Sequence, residues 1–252
     1  MNSVPLAIVT GGKRRLGAAI AARLARAGYA LALVSHLDKE PEDSLLAVLT
    51  GHESNWQPFV SDLSDPAQAG LLIDAVTAHF GRVPDLLVNN AAMFGHDDWE
   101  SMSADTLEAH FRLNLFTPLL LAQALVKAAG RELQPAVVNI LDQRVVNPHG
   151  DQLSYTLSKQ ALAASVRSMA SAFGSRARVN AVAPGLVIST DDYSASQEQR
   201  LAGMMPLDAL PSPTGVADAV LYLAGAKDVT GQTIFVDGGA HLKSFKRDFM
   251  YL

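Results

Sequence analysis

Seven short apolar runs alternate with longer segments of helical periodicity along almost the whole chain, and few architectures accept that alternation. The runs are Leu6–Thr10, Ala30–Ser35, Gln57–Val60, Leu86–Asn89, Ala136–Leu141, Arg178–Val182 and Thr233–Val236. Helical spacing marks the segments at roughly 16–28, 42–50, 64–80, 103–129, 152–173 and 213–225. The runs are continuously apolar, as strands are when helices cover both faces of a parallel sheet. Crossovers between parallel strands are right-handed, which leaves a doubly wound sheet. The expected fold class is α/β: a seven-stranded parallel sheet flanked by helices, in a single domain over residues 1–252.

Composition narrows the function. A chain of 252 residues fills one such domain. Apolar residues make up 49% and charged residues 18%, which excludes a disordered chain. The net charge of −5 leaves no basic excess for a nucleic-acid partner. The absence of cysteine rules out disulfides, thiolate catalysis and cysteine-based metal sites. Leu119–Val126 is interrupted by Gln123 and is too short to span a bilayer. Met1–Pro5 runs straight into the first strand without a signal-like apolar stretch. The expectation is a soluble cytoplasmic protein that contacts neither membrane nor nucleic acid.

One stretch, Leu186–Pro213, breaks the rhythm and is rich in Ser, Asp, Gln, Met and Pro. A segment of this length inside a compact domain is either a binding loop or a disordered insertion. Ala183-Pro184-Gly185 launches it from a strand end, where ligands bind in this architecture, so it is read as a substrate lid.

Thr10-Gly11-Gly12-Lys13-Arg14-Arg15-Leu16-Gly17 follows the first strand and opens the first helix. Gly11 and Gly17 let the backbone approach a pyrophosphate, and the helix start offers unpaired N–H groups and a positive dipole end. Lys13, Arg14 and Arg15 add cations there, although a solvated basic face would read the same. Where an NAD site commonly places an acid at the end of the second strand, this chain has Ser35 and His36. That pocket favours the 2′-phosphate of NADP(H), with Asp38 slightly later as a counter-signal. Asp62, after the third strand, could accept from the adenine amino group or simply cap a helix.

Tyr155 and Lys159 stand one helical turn apart on one face. A free tyrosine has a pKa near ~10, and an ammonium close by favours its phenolate by about 1–3 units. The pair would then exchange protons with a substrate. A buried Tyr beside a solvated Lys shows the same spacing, so the neighbouring motifs matter. Asn89-Asn90-Ala91-Ala92 ends the fourth strand, Asn114 lies in a long helix, Pro184-Gly185 ends the sixth strand and Val236-Asp237-Gly238-Gly239 lies near the last run.

With these motifs in this order, the chain resembles the short-chain dehydrogenase/reductase family over essentially its full length. The resemblance implies a Rossmann-type fold and a catalytic tetrad of Asn114, residue 142, Tyr155 and Lys159. Tyr155 would be the proton donor, Lys159 would lower its pKa and hold the nicotinamide ribose, and Asn114 would fix a relay water. It also implies cofactor contacts from the 11–17 loop, Leu16 included, and from Ser35, His36, Asp62, Leu63, Asn90, Ala91, Pro184 and Gly185. A homotetramer built through two long helices is implied as well.

Three positions depart from the main family pattern. Asp142 stands where the family carries a serine, and an ionised carboxylate only accepts hydrogen bonds. Arg15 replaces a glycine of the nucleotide loop, and its planar donors suit an oxo or phosphate oxygen. Phe94 would stand at the mouth of the site and could sandwich a flat heterocycle, although a lone aromatic is more often core. Together they resemble the pteridine reductase branch, with the Asp191-Asp192 pair resembling that branch's substrate loop. The implied activity is NADPH-dependent reduction of a dihydropterin or dihydrofolate, with Arg15, Phe94, Asp142 and Tyr155 meeting the substrate. Ala92 and Leu37 do not match the branch. Alternatives are a reductase of another carbonyl or imine, and a nucleotide-binding regulatory protein without turnover. The segment His241–Leu252 is left open, either packed on a neighbouring subunit or frayed.

Overall fold

The computed structural model describes residues 4–187 and 193–252. Its seven strands are β1 (Leu6–Thr10), β2 (Ala30–Ser35), β3 (Trp56–Val60), β4 (Leu86–Asn89), β5 (Ala136–Ile140), β6 (Arg178–Pro184) and β7 (Thr233–Val236). They form one sheet in the order β3-β2-β1-β4-β5-β6-β7, with parallel pairing throughout. The order reverses between β1 and β4, and the crevice beyond their carboxyl ends is where such sheets bind ligands.

The α-helices are α1 (Arg15–Arg26), α2 (Asp43–Gly51), α3 (Gln68–Phe80), α4 (Ala104–Phe111), α5 (Thr117–Ala129), α6 (Leu153–Phe173), α7 (Ala195–Met204) and α8 (Pro213–Gly225). Successive strand residues point to opposite faces, so β1 divides itself between two cores. Leu6 and Ile8 join α3, α5 and α6 on one side, while Ala7 and Val9 join α1, α2 and α8 on the other. Burial on both faces is the physical reason the strands read as continuous apolar runs.

Three elements differ from the sequence expectation. The helix expected over 103–129 is two helices joined by a π-helical turn, Arg112–Phe116. Pro118, in the first turn of α5, has no N–H and crowds the carbonyl four residues back, and a wider turn relieves both conflicts. The helix expected from residue 64 starts only at Gln68, because Asp65 accepts from Ala67 N at 3.1 Å and holds a turn around Pro66.

The third difference lies in the expected lid. Rather than being irregular along its length, Leu186–Pro213 carries α7, capped by Ser194, whose hydroxyl accepts from Gln197 N. Leu201 of α7 and Met205, just past its end, are buried against Ala240 and Phe249. The Asp191-Asp192 pair lies outside the described residues. The segment 240–252 is not frayed: it folds back on its own chain, with Phe249 only 6% exposed.

Candidate active site

The carboxyl ends of β1 and β4 are stitched by one hydroxyl. Thr10 Oγ1 accepts from Asn90 N at 2.9 Å and Ala91 N at 3.0 Å, while Asn90 Nδ2 donates to Thr10 O at 2.9 Å. A side chain at Gly17 would place its Cβ 2.0 Å from Gly11 O, so only glycine permits this contact between loop and helix start. No acidic residue occupies the first turn of α1, whose opening residues Arg15, Leu16 and Gly17 line an open cleft of about 950 Å³.

All of the expected cofactor residues line that cleft: Gly11, Lys13, Arg14, Arg15, Leu16, Gly17, Ser35, His36, Asp62, Leu63, Asn90, Ala91, Tyr155, Lys159, Pro184 and Gly185. The three basic residues are not equivalent. Arg14 and Arg15 are exposed, whereas Lys13 is buried and its ammonium donates to Lys39 O at 2.7 Å, with Asp38 at 4.0 Å. Asp38 therefore faces a cation of its own chain. Arg15 adopts φ +53°, a left-handed conformation that favours glycine and costs other residues on the order of 1–3 kcal/mol. Glu42 holds it there, accepting from Arg15 N at 2.9 Å and donating its own N–H to Lys13 O at 3.0 Å. Ser35 Oγ donates to Leu37 O. Asp62 accepts from Ser64 N and Oγ, and these bonds hold its carboxyl below the ordinary carboxylate range. His36 Nδ1 lies 3.4 Å away, so Asp62 is both a turn cap and a wall of the cleft.

At the far end of the cleft, Tyr155 donates to Asp142 Oδ2 at 3.0 Å. Asp142 Oδ1 accepts from Arg144 N at 2.9 Å and Nε at 3.2 Å, capping a 3₁₀ turn over Gln143–Val145. Arg144 is 4% exposed, and its other nitrogens reach Gln152 Oε1 at 3.0 Å and Asp248 Oδ2 at 2.7 Å. Burial opposes the Arg144 charge, but Asp142, Tyr155 and Asp248 outweigh it and raise its pKa. Its guanidinium carbon lies 5.6 Å from the Phe94 ring centroid and 5.3 Å from that of Tyr155. The two rings meet edge-on, their centroids 4.8 Å apart.

The surroundings of Tyr155, Lys159 and Asn114 add partners to the expected tetrad. Burial and Asp142 push the Tyr155 phenol well above its ordinary value, and the cation that opposes this is Arg144 rather than Lys159. Lys159 Nζ lies 5.9 Å from the Tyr155 ring centroid and donates to Ile140 O at 2.8 Å; burial lowers its own pKa to about 8. Asn114, in the π turn, is buried and lies outside the lining of the cleft. Its amide binds Met93 N at 2.8 Å, Met93 O at 3.0 Å and Ser158 Oγ at 3.0 Å. The side chain expected to fix a water thus clamps the loop after β4 to the turn carrying Lys159.

The family model described as enoyl-(acyl carrier protein) reductase matches residues 11–241. The chain belongs to the short-chain dehydrogenase/reductase family. It is 31% identical to pteridine reductase 1 of Leishmania tarentolae, covering 95% of this chain and 97% of the relative. It is 34% identical to carbonyl reductase family member 4 of Danio rerio, covering 94% and 98%. Among solved structures, it is similar to the alternative dihydrofolate reductase 1, FolM, of Brucella canis complexed with NADP. That match has 33% identity, 95% of each chain covered and a TM-score of 0.86.

In this short-chain dehydrogenase/reductase a second cavity, of about 290 Å³, adjoins the cleft and shares Arg15, Asp142, Gly185 and Leu186 with it. Phe94, 48% exposed, forms part of its wall. So do Phe249 and, unmarked in the sequence reading, Arg144, Tyr193, Asp248 and Met250. Arg144 follows Asp142 by two residues, but its role depends on Asp248, 104 residues further along the chain. No local pattern reveals such a pair.

Proposed function

We propose that the protein is an NADPH-dependent reductase of a dihydropterin or dihydrofolate. The observation that carries this reading is the position of Asp142. Its carboxylate holds the Tyr155 hydroxyl at the boundary of the two cavities, with the Phe94 ring beside them. A simple carbonyl needs a donor at that place, whereas the N–H and amino groups of a pterin need an acceptor. Phe94 offers a face for a flat ring, and Arg15 offers planar donors for an oxo group.

The first cleft suits a dinucleotide. The Gly17 approach leaves room for a pyrophosphate over the N-terminus of α1, and Arg14, Ser35 and His36 line the pocket expected for a 2′-phosphate. When bound, NADPH supplies a hydride to a ring carbon. Tyr155 then gives its proton to the adjacent ring nitrogen, with Asp142 orienting the hydroxyl and the ring. Lys159, buried against Ile140 O at the same end, is in place to hold the nicotinamide ribose. Likeness to pteridine reductase 1 and to the NADP complex of FolM supports this reading.

Reduction of another carbonyl or imine is the second reading, favoured by the comparable likeness to carbonyl reductase family member 4. The intact contact of Tyr155 with Asp142 weighs against a protein without turnover. A homotetramer belongs to the same proposal, supported by Phe116 and Leu120, which stand exposed on the π turn and α5. Among the described residues no helix is long and apolar enough to cross a membrane, and a cytoplasmic location is proposed. The test follows NADPH absorbance with dihydrobiopterin, dihydromonapterin and dihydrofolate against ketones and quinones. Turnover confined to the pterins supports the proposal, and turnover confined to the carbonyls moves the substrate to the second reading.

A further inference from the structure

Asp248 lies far from the tetrad in sequence, is 5% exposed, and directs its carboxylate inward. Oδ1 caps the turn over Phe249–Tyr251 by accepting from Met250 N at 3.0 Å, and Oδ2 accepts from Arg144 at 2.7 Å. Its own N–H donates to Asp151 Oδ2 at 2.8 Å, and Phe249 beside it packs against Leu201, Met205 and Ala240. The carboxylate is therefore fixed by its backbone on one side and by a packed aromatic on the other.

We propose that Asp248 and Arg144 are positioning residues that hold the reactive carboxylate of Asp142 in register with Tyr155, making the 240–252 segment part of the catalytic apparatus. Arg144 grips only Oδ1 of Asp142, through its Nε and its backbone N–H, and Oδ2 stays free for the Tyr155 hydroxyl. A guanidinium with a single carboxylate partner would turn its planar fork onto both oxygens, since the bidentate geometry is the stronger one. Asp248 prevents this by drawing the Nη2 edge away, and Gln152 holds Nη1. Two carboxylates, Asp248 buried and Asp142 partly buried, thus share the Arg144 guanidinium. Asp142 keeps an oxygen for the reaction because Asp248 competes for its partner.

This inference rests on Asp142 and Tyr155 acting in proton delivery, and its test separates the two claims. Asp248→Asn keeps the shape and removes the charge, while Asp248→Glu restores the charge. Both are assayed with whichever pterin or carbonyl the unaltered protein reduces, alongside the NADPH dissociation constant and the melting temperature. Asp248→Asn is expected to lower kcat about tenfold with KM for the second substrate and NADPH affinity within about twofold, and Asp248→Glu to recover part of that loss. Added to Arg144→Met, Asp248→Asn is expected to cost little more, because both changes break one chain of contacts. Wild-type kcat in Asp248→Asn overturns the proposal, as does an effect confined to KM, which would make the segment a wall only. An equal loss in the Arg144→Met background also overturns it. If Arg144→Met does not fold, the comparison of Asn with Glu at 248 decides alone. Pterins left unreduced while carbonyls turn over would remove the pterin reading and leave the test of Asp248 intact; reduction of neither class would overturn both.

Discussion

The Tyr155 hydroxyl donates to Asp142 Oδ2 at 3.0 Å, so the proposed proton donor is tied to a carboxylate rather than to a hydroxyl. The contact ties the phenol to a residue that lines both cavities, and burial and the neighbouring charge both disfavour phenolate. Tyr155→Phe is expected to reduce turnover by roughly 10²–10⁴-fold, the ordinary range for general acid catalysis, with NADPH affinity little changed. Steady-state rates and a cofactor titration check this, and retention of most activity would remove Tyr155 from the proton step.

Replacing Asp142 with serine restores the main family pattern, and pterin reduction is expected to fall far more than any carbonyl reduction. It also takes one partner from buried Arg144. Breaking a fully buried pair costs about 3–5 kcal/mol. The loss here is expected at or below the lower end, since the Asp142 side chain is 20% exposed and Arg144 keeps Asp248. Rates on both substrate classes, with chemical denaturation of the same variant, measure the two effects. Equal losses on both classes would undercut the pterin assignment.

Lys159 gives a pH-dependent prediction. Its pKa in the folded protein, about 8, lies below its ordinary 10.5, so between these values the unfolded chain binds more protons and stability rises with pH. The penalty is fully present below about pH 8 and is gone above about 10.5. Lys159→Met is therefore expected to melt higher than the unaltered protein at pH 7, with the gap closing toward pH 10.5, while turnover is lost. A difference independent of pH would show that the ammonium carries no such penalty.

Arg15→Gly removes the left-handed strain at φ +53° and is expected to stabilise the cofactor-free protein by about 1 kcal/mol. It also takes a guanidinium from both cavities. NADPH or pterin affinity is expected to fall by about tenfold, the scale of one charged hydrogen bond. Thermal melting and ligand titration would move in opposite directions, and weakened melting would refute the strain argument.

Much of this was legible from the sequence because its causes are local. The strands declared themselves through burial on both faces, and β1, β2, β4 and β7 fall on the expected residues. The loop glycines and the Tyr155–Lys159 spacing lie within a few residues of one another. Other features depend on distance. Arg144 gains its role from Asp248, and Asn114 from Met93 and Ser158. Helix α7 buries only Leu201 within its length, too weak a stripe to read as periodicity. The π turn is set by Pro118 acting on the preceding turn, an effect that apolar spacing does not encode.

The bonds among Lys13, Lys39, Glu42 and Arg15 have a bearing on redesign. The loop after β1, proposed to meet the phosphates, and the loop after β2, proposed to meet the ribose, are laced together by Lys13 Nζ to Lys39 O, Glu42 N to Lys13 O and Arg15 N to Glu42 Oε2. On the proposed reading, nucleotide preference belongs to this joined unit rather than to residues 35–38 alone. A loop grafted from an NAD-using relative would have to bring its own acceptors for the Lys13 ammonium and the Arg15 amide. Without them, the exchange would slacken the pyrophosphate cradle while altering the ribose end.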